Sequence, residues 1–377
     1  MKIEAVESFH IGTAYVVRIR TDSGLTGIGQ TACWAYPEAV ERIVDTFRGY
    51  LIGQDPLRIE HHWQLLYRMG PFRGSTISGA LSAVDIALWD IKGKHFEAPI
   101  WELMGGRCRD KIRLHLLMGG GDTPEEVAKR ARAAAEEGFT AIKFDPLPPG
   151  YQDMTHARLI RTVREQVAAA REAVGDDVDV IVEIHRKLTP PVAVALGEAL
   201  VEFRLLFYED PIQIDSIISQ GEIAQRITVP VANGERMHSI WEFRELLAHG
   251  GPQYVRPDVG QAGGLTHCKK IAAIAESYHC AVVTHNFLGP ILTAASVQLD
   301  TCIPNFIVQE YSKADELPDN RVYKTALKRE GGYMPVPEVP GLGVELDEDL
   351  LSKASRQPRD LAAGTPMRRD GSVASGG

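Results

Sequence analysis

The sequence predicts an α/β chain in which a smaller α+β module precedes a closed parallel barrel, and three observations carry that expectation. From about residue 111 onward, short β-branched or aromatic runs alternate with helical stretches, the pattern of a parallel sheet covered by helices. Eight such runs occur, which favours a closed barrel over an open sheet. The first hundred or so residues lack this alternation and open on a hairpin followed by helices.

In order along the chain, residues 15–21 read as an alternating strand. Asp22-Ser23-Gly24 then gives a turn signal, and residues 26–31 a returning strand. Three helical stretches follow. The longest, over 79–94, places Leu81, Val84, Leu88 and Ile91 on one apolar face, with Asp85 at its edge and Asp90 on the far side. The barrel strands are expected at 112–117, 140–145, 178–185, 205–210, 229–235, 254–258, 280–285 and 306–310, with helices such as 124–137 and 265–279 between them. From about 325 the chain turns Pro- and Gly-rich (GGYMPVPEVPGLGVEL) and is expected to pack back outside the barrel, while the final dozen residues, ending DGSVASGG, read as frayed. The domain expectation is therefore 1–110 for the N-terminal α+β part, 111–324 for the barrel and 325–377 for a C-terminal segment returning to the first domain.

Composition narrows the function classes. The 377 residues are 44% hydrophobic and 24% charged, ordinary globular proportions. A formal charge of −9 lacks the basic footprint of a nucleic-acid binder. No apolar run approaches the roughly 18 residues that span a bilayer, and the most apolar stretch, 281–297, is broken by His285, Asn286 and Gly289. Glu4 and Glu7 stand where a signal peptide would need its apolar core, so a cytoplasmic chain is expected. Five cysteines without a C-x-x-C pair indicate buried thiols rather than disulfides or a zinc site. Gln261-Ala262-Gly263-Gly264 matches neither phosphate-binding loop pattern and more simply opens the following helix, so no nucleotide cofactor is expected.

In a barrel the chemistry sits at the C-terminal ends of the strands. Those ends supply Glu183 and His185, Glu209 and Asp210, Glu235, Asp258, His285 and Glu310. Successive intervals of 26, 26, 23, 27 and 25 residues, from 183 to 310, put one polar group on each β/α unit and converge them on one mouth. A single acid at a strand end is ordinary helix-cap or loop chemistry; the repeat carries the argument. Glu183, Glu209 and Glu235 together are costly without a cation, and all-oxygen ligation favours Mg²⁺ over zinc. Asp258 and His285, from adjacent strand ends, read as a carboxylate-oriented general base.

At these residues the sequence resembles the enolase superfamily, specifically its mandelate racemase subgroup and, within it, the D-galactonate dehydratase family of acid-sugar dehydratases. The resemblance runs almost end to end, through LIGQDPLRIEHHWQLLYR, SAVDIALWDIKGK, ELMGGRCRDK, NGERM, RPDVGQAGGLTHCKKIA, THNFLGP and PGLGVELDE. It implies a capping domain made from both chain ends over a modified TIM barrel, (β/α)7β. By matching motif, it places Glu183, Glu209 and Glu235 on the Mg²⁺ ligands, Asp258 and His285 on the base dyad, His185 on the general acid, and Glu310, in protonated form, beside the substrate carboxylate. It also implies assembly as a homo-oligomer, from dimer to octamer.

Two departures accompany the resemblance. Glu183 stands where relatives usually carry Asp, one methylene shorter. In Lys143-Phe144-Asp145, Asp145 replaces the second lysine that racemizing relatives use as a base, which disfavours a two-base racemase. Lys143 is then expected either to neutralise a substrate carboxylate or to form a structural ion pair. Arg186 replaces a smaller residue and is expected to narrow or recharge the pocket. The capping domain nominates Trp34, Tyr36, Phe72 and Arg73 as substrate contacts. The activity implied is a Mg²⁺-dependent hydro-lyase taking the C2 proton and C3 hydroxyl from a galactonate-like sugar acid to give a 2-keto-3-deoxy acid. The alternatives are an epimerase or cycloisomerase using the same enediolate, or, from Glu183, a catalytically drifted metal-binding barrel.

Overall fold

The computed structural model describes residues 1–120 and 123–375. Strands β1 (Ile3–Ile11), β2 (Ala14–Thr21) and β3 (Thr26–Gln30) form an antiparallel meander. The expected hairpin is β2–β3; β1 was not anticipated because its inward side chains, starting with Ile3 and Val6, are interrupted by half-buried polar groups. Four helices follow: α1 (Pro37–Leu51), α2 (Ile59–Arg68), α3 (Ser75–His95) and the single turn α4 (Ile100–Leu103). Helix α3 lies on the sheet so closely that a Cβ on Gly29 would collide with the carbonyl of Ala83, which explains why a strand carries glycine there.

The barrel alternates β4 (Lys111–Leu117), α5 (Pro124–Glu136), β5 (Ala141–Phe144), α6 (His156–Val174), β6 (Asp179–Glu183), α7 (Pro190–Ala199), β7 (Phe207–Glu209) and α8 (Ile217–Arg226). It continues with β8 (Val231–Asn233), α9 (Ile240–Ala248), β9 (Tyr254–Val255), α10 (Gly264–Ser277), β10 (Ala281–Thr284), α11 (Pro290–Cys302) and β11 (Phe306–Tyr311). Neighbouring strands are parallel throughout, and β11 closes on β4 through Gln309↔Leu114 and Glu310↔His115. Seven helices separate eight strands, and short 3₁₀ turns rather than an α-helix follow β11, so the barrel is of the (β/α)7β type. Local signals set the helix starts: Thr123 and Glu126 form a reciprocal cap on α5, and proline occupies the first turn of α5, α7 and α11.

After the barrel come β12 (Tyr323–Thr325), β13 (Tyr333–Pro335), β14 (Val344–Leu346) and α12 (Glu348–Leu351). Strand β13 pairs antiparallel with the start of β4, and Arg18 pairs with Glu348, and Arg356 with Glu38, back on the first domain. The terminal segment expected to fray is instead held by a Met367↔Val373 bridge and by the Tyr151 hydroxyl, which donates to the Ser375 carbonyl at 2.7 Å. A short strand-like bridge supplies the backbone bonds that composition alone did not reveal; the last two residues of that call lie outside the described ones. The cysteines are all free, and four are buried, whereas Cys108 is exposed on the linker before β4, a correction to the expectation of uniformly buried thiols. No helix among the described residues is long and apolar enough to cross a membrane.

Both acids of α3 join the domains. Asp85 accepts from the Thr266 backbone (3.0 Å) and hydroxyl (2.5 Å) on α10, and Asp90 accepts from the backbone N–H of Ile28 and of Leu342. Gly263-Gly264 open α10, as expected, and their N–H groups donate to the Ser82 hydroxyl of α3.

Candidate active site at the barrel mouth

Strand alternation builds the site. The barrel lumen is plugged by Ala141, Ile181, Phe207, Ala232, Val283 and Val308. Two residues further along each strand return the side chain to the same face. Above the plug that rule delivers Lys143, Glu183, Glu209, His285 and Glu310, all buried. On β9 the step from Tyr254 leads to Arg256, the largest fully buried side chain among the described residues.

Glu183, Glu209 and Glu235 offer carboxylate oxygens that all lie within 4.8 Å of one another. His285 Nδ1 stands 2.6 Å from Asp258 Oδ2, and its Nε2 faces Glu235 Oε2 at 3.2 Å and Glu310 Oε1 at 4.0 Å. The Asp258 and His285 backbones are bridged in parallel, which fixes the pair beyond the ends of β9 and β10. On the opposite side, His185 Nδ1 meets Asp145 Oδ2 at 3.0 Å, and Lys187 Nζ reaches the same oxygen at 2.6 Å. His185, Arg186 and Asp210 take left-handed backbone conformations (φ 52°, 64° and 39°), strain concentrated where the strand ends are turned inward.

The basic side chains are committed to this cluster. Lys143 donates to Glu183 (2.7 Å), Glu209 (3.0 Å) and Glu310 (2.7 Å). Of the two readings open for Lys143, the geometry is that of the structural ion pair. Arg256 pairs with Glu209 (2.5 Å) and Glu310. Arg186 donates to Asp210 (2.9 Å) and Glu235 (2.5 Å). Arg256, embedded in the motif RPDVGQAGG, received no role from sequence reasoning; its signal was its place two residues beyond Tyr254.

Burial would raise the carboxyls of Glu183, Glu209, Glu235 and Glu310, and the partners decide the outcome. Lys143 and His185 hold Glu183 below the ordinary range, and His285, Arg236 and Arg186 do the same for Glu235. Burial wins at Glu209, which is pushed well up. At Glu310, burial is more than offset by Lys143, His285 and Arg256, so the carboxyl is held low. The proton expected on Glu310 is therefore not favoured, because two permanent cations contact it. Burial lowers His185, but Glu183 and Asp145 outweigh it and the imidazole is raised toward the imidazolium form.

The donor set fits a hard divalent cation. Three buried glutamates bring their oxygens within 4.8 Å of one another, an all-oxygen set, and the six buried carboxyl groups of the mouth (Glu183, Glu209, Asp210, Glu235, Asp258 and Glu310) outnumber its three buried permanent bases (Lys143, Arg186 and Arg256).

A cleft of about 560 Å³ opens over the mouth, lined in part by Trp34, Tyr36, Arg186, Arg236 and Arg359. Trp34 and Tyr36, nominated as substrate contacts, both line it. Arg73 and Phe72 do not line this cleft: Phe72 is 78% exposed, and Arg73 stacks on Tyr67 at 4.3 Å.

A barrel mouth of acids and two carboxylate-paired histidines under an α+β cap defines an enolase-type barrel enzyme. Residues 3–105 match the mandelate racemase / muconate lactonizing enzyme N-terminal domain and residues 126–350 the enolase C-terminal domain-like family, and the chain belongs to this family. It is 36% identical to a D-galactonate dehydratase of Xanthomonas oryzae pv. oryzae and 37% to one of Ralstonia nicotianae, in each case over 99% of this chain and 100% of the relative. Among solved structures, an enolase from Agrobacterium radiobacter, bound to Na and L-malate, superposes with a TM-score of 0.93 at 30% identity, covering 99% of this chain and 100% of the other. An enolase-superfamily member from Salmonella Typhimurium gives a TM-score of 0.89 at 32% identity, covering 94% and 98%. With these relatives the chain is an enzyme of the hydro-lyase class.

Proposed function

We propose that the chain is a Mg²⁺-dependent acid-sugar dehydratase that removes the C2 proton and C3 hydroxyl of a polyhydroxy carboxylate to leave a 2-keto-3-deoxy acid. The observation that carries this reading is the Asp258–His285 pair, whose second imidazole nitrogen, Nε2, faces the three-glutamate cluster at Glu235. The names of the D-galactonate dehydratase relatives support the same reaction class.

The proton α to a carboxylate is weakly acidic, because its loss adds charge to an anion. Mg²⁺ held by Glu183, Glu209 and Glu235 would supply the positive charge that stabilises the enediolate, as in enolase-type sites generally. Asp258, 2.6 Å from Nδ1, accepts that proton and orients the ring, and it is the neutral form of His285, with Nε2 unprotonated, that would take the C2 proton. His185, kept protonated by Glu183 and Asp145, donates its proton to the departing C3 hydroxyl, which leaves as water. Lys143 and Arg256 hold Glu209 and Glu310 in place, so the acids of the mouth keep one geometry. The enol then tautomerises to the 2-keto acid.

The test is proton exchange. With Mg²⁺ in D₂O, the protein is expected to form a 2-keto product from a hexonate or pentonate panel. His285→Asn should abolish both that product and deuterium uptake at C2, a loss of about 10²–10⁴-fold. Exchange persisting in the variant would remove His285 as the base, and exchange without keto acid in the wild type would replace dehydration by epimerisation.

A further inference from the structure

We propose that the cleft above the barrel carries a second anion subsite, formed by Arg236 and Arg359 on the Trp34 indole. The substrate is then an acid sugar with a further anionic group, a carboxylate or phosphate, at the end remote from C1. The inference rests on the dehydratase reading and names its substrate class.

The three arginines that line the cleft differ in what they are bound to. Arg186 is fully engaged by Asp210 and Glu235. Arg236 touches Glu235 through Nε at 3.1 Å and stacks toward the Trp34 ring at 5.6 Å, which ties it to the mouth by one edge. Arg359 lies 4.4 Å over the same ring, and among the described residues no carboxylate stands within ion-pair distance of it. Asp360 also lines the cleft, but its Oδ1 accepts from the backbone N–H of Ala362 and Ala363, which turns that charge into its own loop.

Two guanidinium groups gathered on one indole, of which only Arg236 meets a carboxylate, repel each other; Arg359, with burial as the larger cause and Arg236 as the second, is held below its ordinary pKa. Stacking on Trp34 restricts both side chains before any ligand arrives, so less entropy is lost on binding. A planar guanidinium receives carboxylate or phosphate through paired N–H bonds. The site also has direction: Arg236 sits against Glu235 at the chemical end, whereas Arg359, from the C-terminal segment, meets none of the mouth's carboxylates among the described residues. An acid sugar with its C1 carboxylate toward the glutamates would present its far terminus to this pair. A neutral hydroxymethyl terminus would leave both cations desolvated without an anion.

The Mg²⁺-loaded protein is assayed with a hexaric diacid, a 6-phosphohexonate and the plain hexonate, all of one configuration at C2 and C3. At least one dianion should exceed the hexonate in kcat/KM by about tenfold, the value of one charge-assisted hydrogen bond. Arg359→Met should collapse that ratio chiefly through KM, and Arg359→Lys should keep part of it. The better of the two dianions identifies the second group. Equal or better turnover of the hexonate, or a ratio untouched in Arg359→Met, would overturn the proposal. Calorimetry with succinate against lactate separates it from the reaction itself: if no compound yields keto acid, tighter succinate binding that Arg359→Met weakens about tenfold keeps the subsite and sinks only the dehydratase reading. Equal binding sinks the subsite.

Discussion

Arg186 Nη1 lies 2.5 Å from Glu235 Oε1, so one oxygen of a candidate metal ligand is already held by a side chain of the next-but-one strand end. Arg186 is buried, also bonds Asp210 at 2.9 Å, and has φ of 64°, a conformation glycine adopts freely. A cation arriving at Glu235 must compete with that guanidinium.

Arg186→Gly is therefore expected to tighten Mg²⁺ binding by about tenfold in calorimetric titration, one tenfold step being about 1.4 kcal/mol. It should also lower the metal-free melting temperature, since Asp210 and Glu235 lose their shared partner. Mg²⁺ should then raise the variant's melting temperature more than the wild type's. An unchanged or weakened dissociation constant would show that Arg186 does not compete for the site.

The strand order, the barrel and the acid at each strand tip were legible because all three rest on local periodicity. Alternation fixes which residue points into the lumen, and the 23 to 27 residue spacing between the polar groups, five acids and His285, repeats with the β/α unit. The counter-charges were less legible. Lys143, Arg186 and Arg256 find their carboxylates across strands, and nothing in one strand says which cation meets which acid. Helix periodicity placed Asp90 on the far side of α3 from the apolar face and said nothing of what would cover it. Asp90 is fully buried because β3 and the C-terminal segment both bring backbone N–H groups to it. Arg359, separated by 325 positions from Trp34, was invisible for the same reason: long-range closure, not local pattern, creates that contact.

Asp85 makes folding stability depend on pH. Burial pushes its carboxyl up to about 7 from 3.8, with the Thr266 hydrogen bonds only partly offsetting it. Because the folded state holds the proton more tightly than the unfolded chain, the stability from this group is present below about pH 4 and is lost as pH rises toward 7. The whole shift corresponds to at most about 4 kcal/mol. Asp85→Asn, which cannot ionise, should flatten that limb of a melting-temperature profile between pH 4 and 7. Parallel wild-type and variant profiles would assign the dependence elsewhere.

Lys143 meets three of the buried acids of the site. Its Nζ bonds Glu183, Glu209 and Glu310 at once, and desolvation and Arg256, which both lower it, are outweighed by those three carboxylates, so its pKa is raised. Lys143→Met keeps the stem volume and removes only the charge, leaving three buried acids with Arg256 as their remaining fully buried cation. Removing one partner from such a group costs about 3–5 kcal/mol, because the charges left behind stay desolvated. Urea denaturation without Mg²⁺ should report a loss of that size. Neutralising one acid in the double variant Lys143→Met/Glu310→Gln should recover part of it, since residues in one network do not contribute additively. A single variant within about 1 kcal/mol of wild type, a surface-pair value, or a double variant less stable than the single, would mean that the acids of the mouth are protonated rather than held by Lys143.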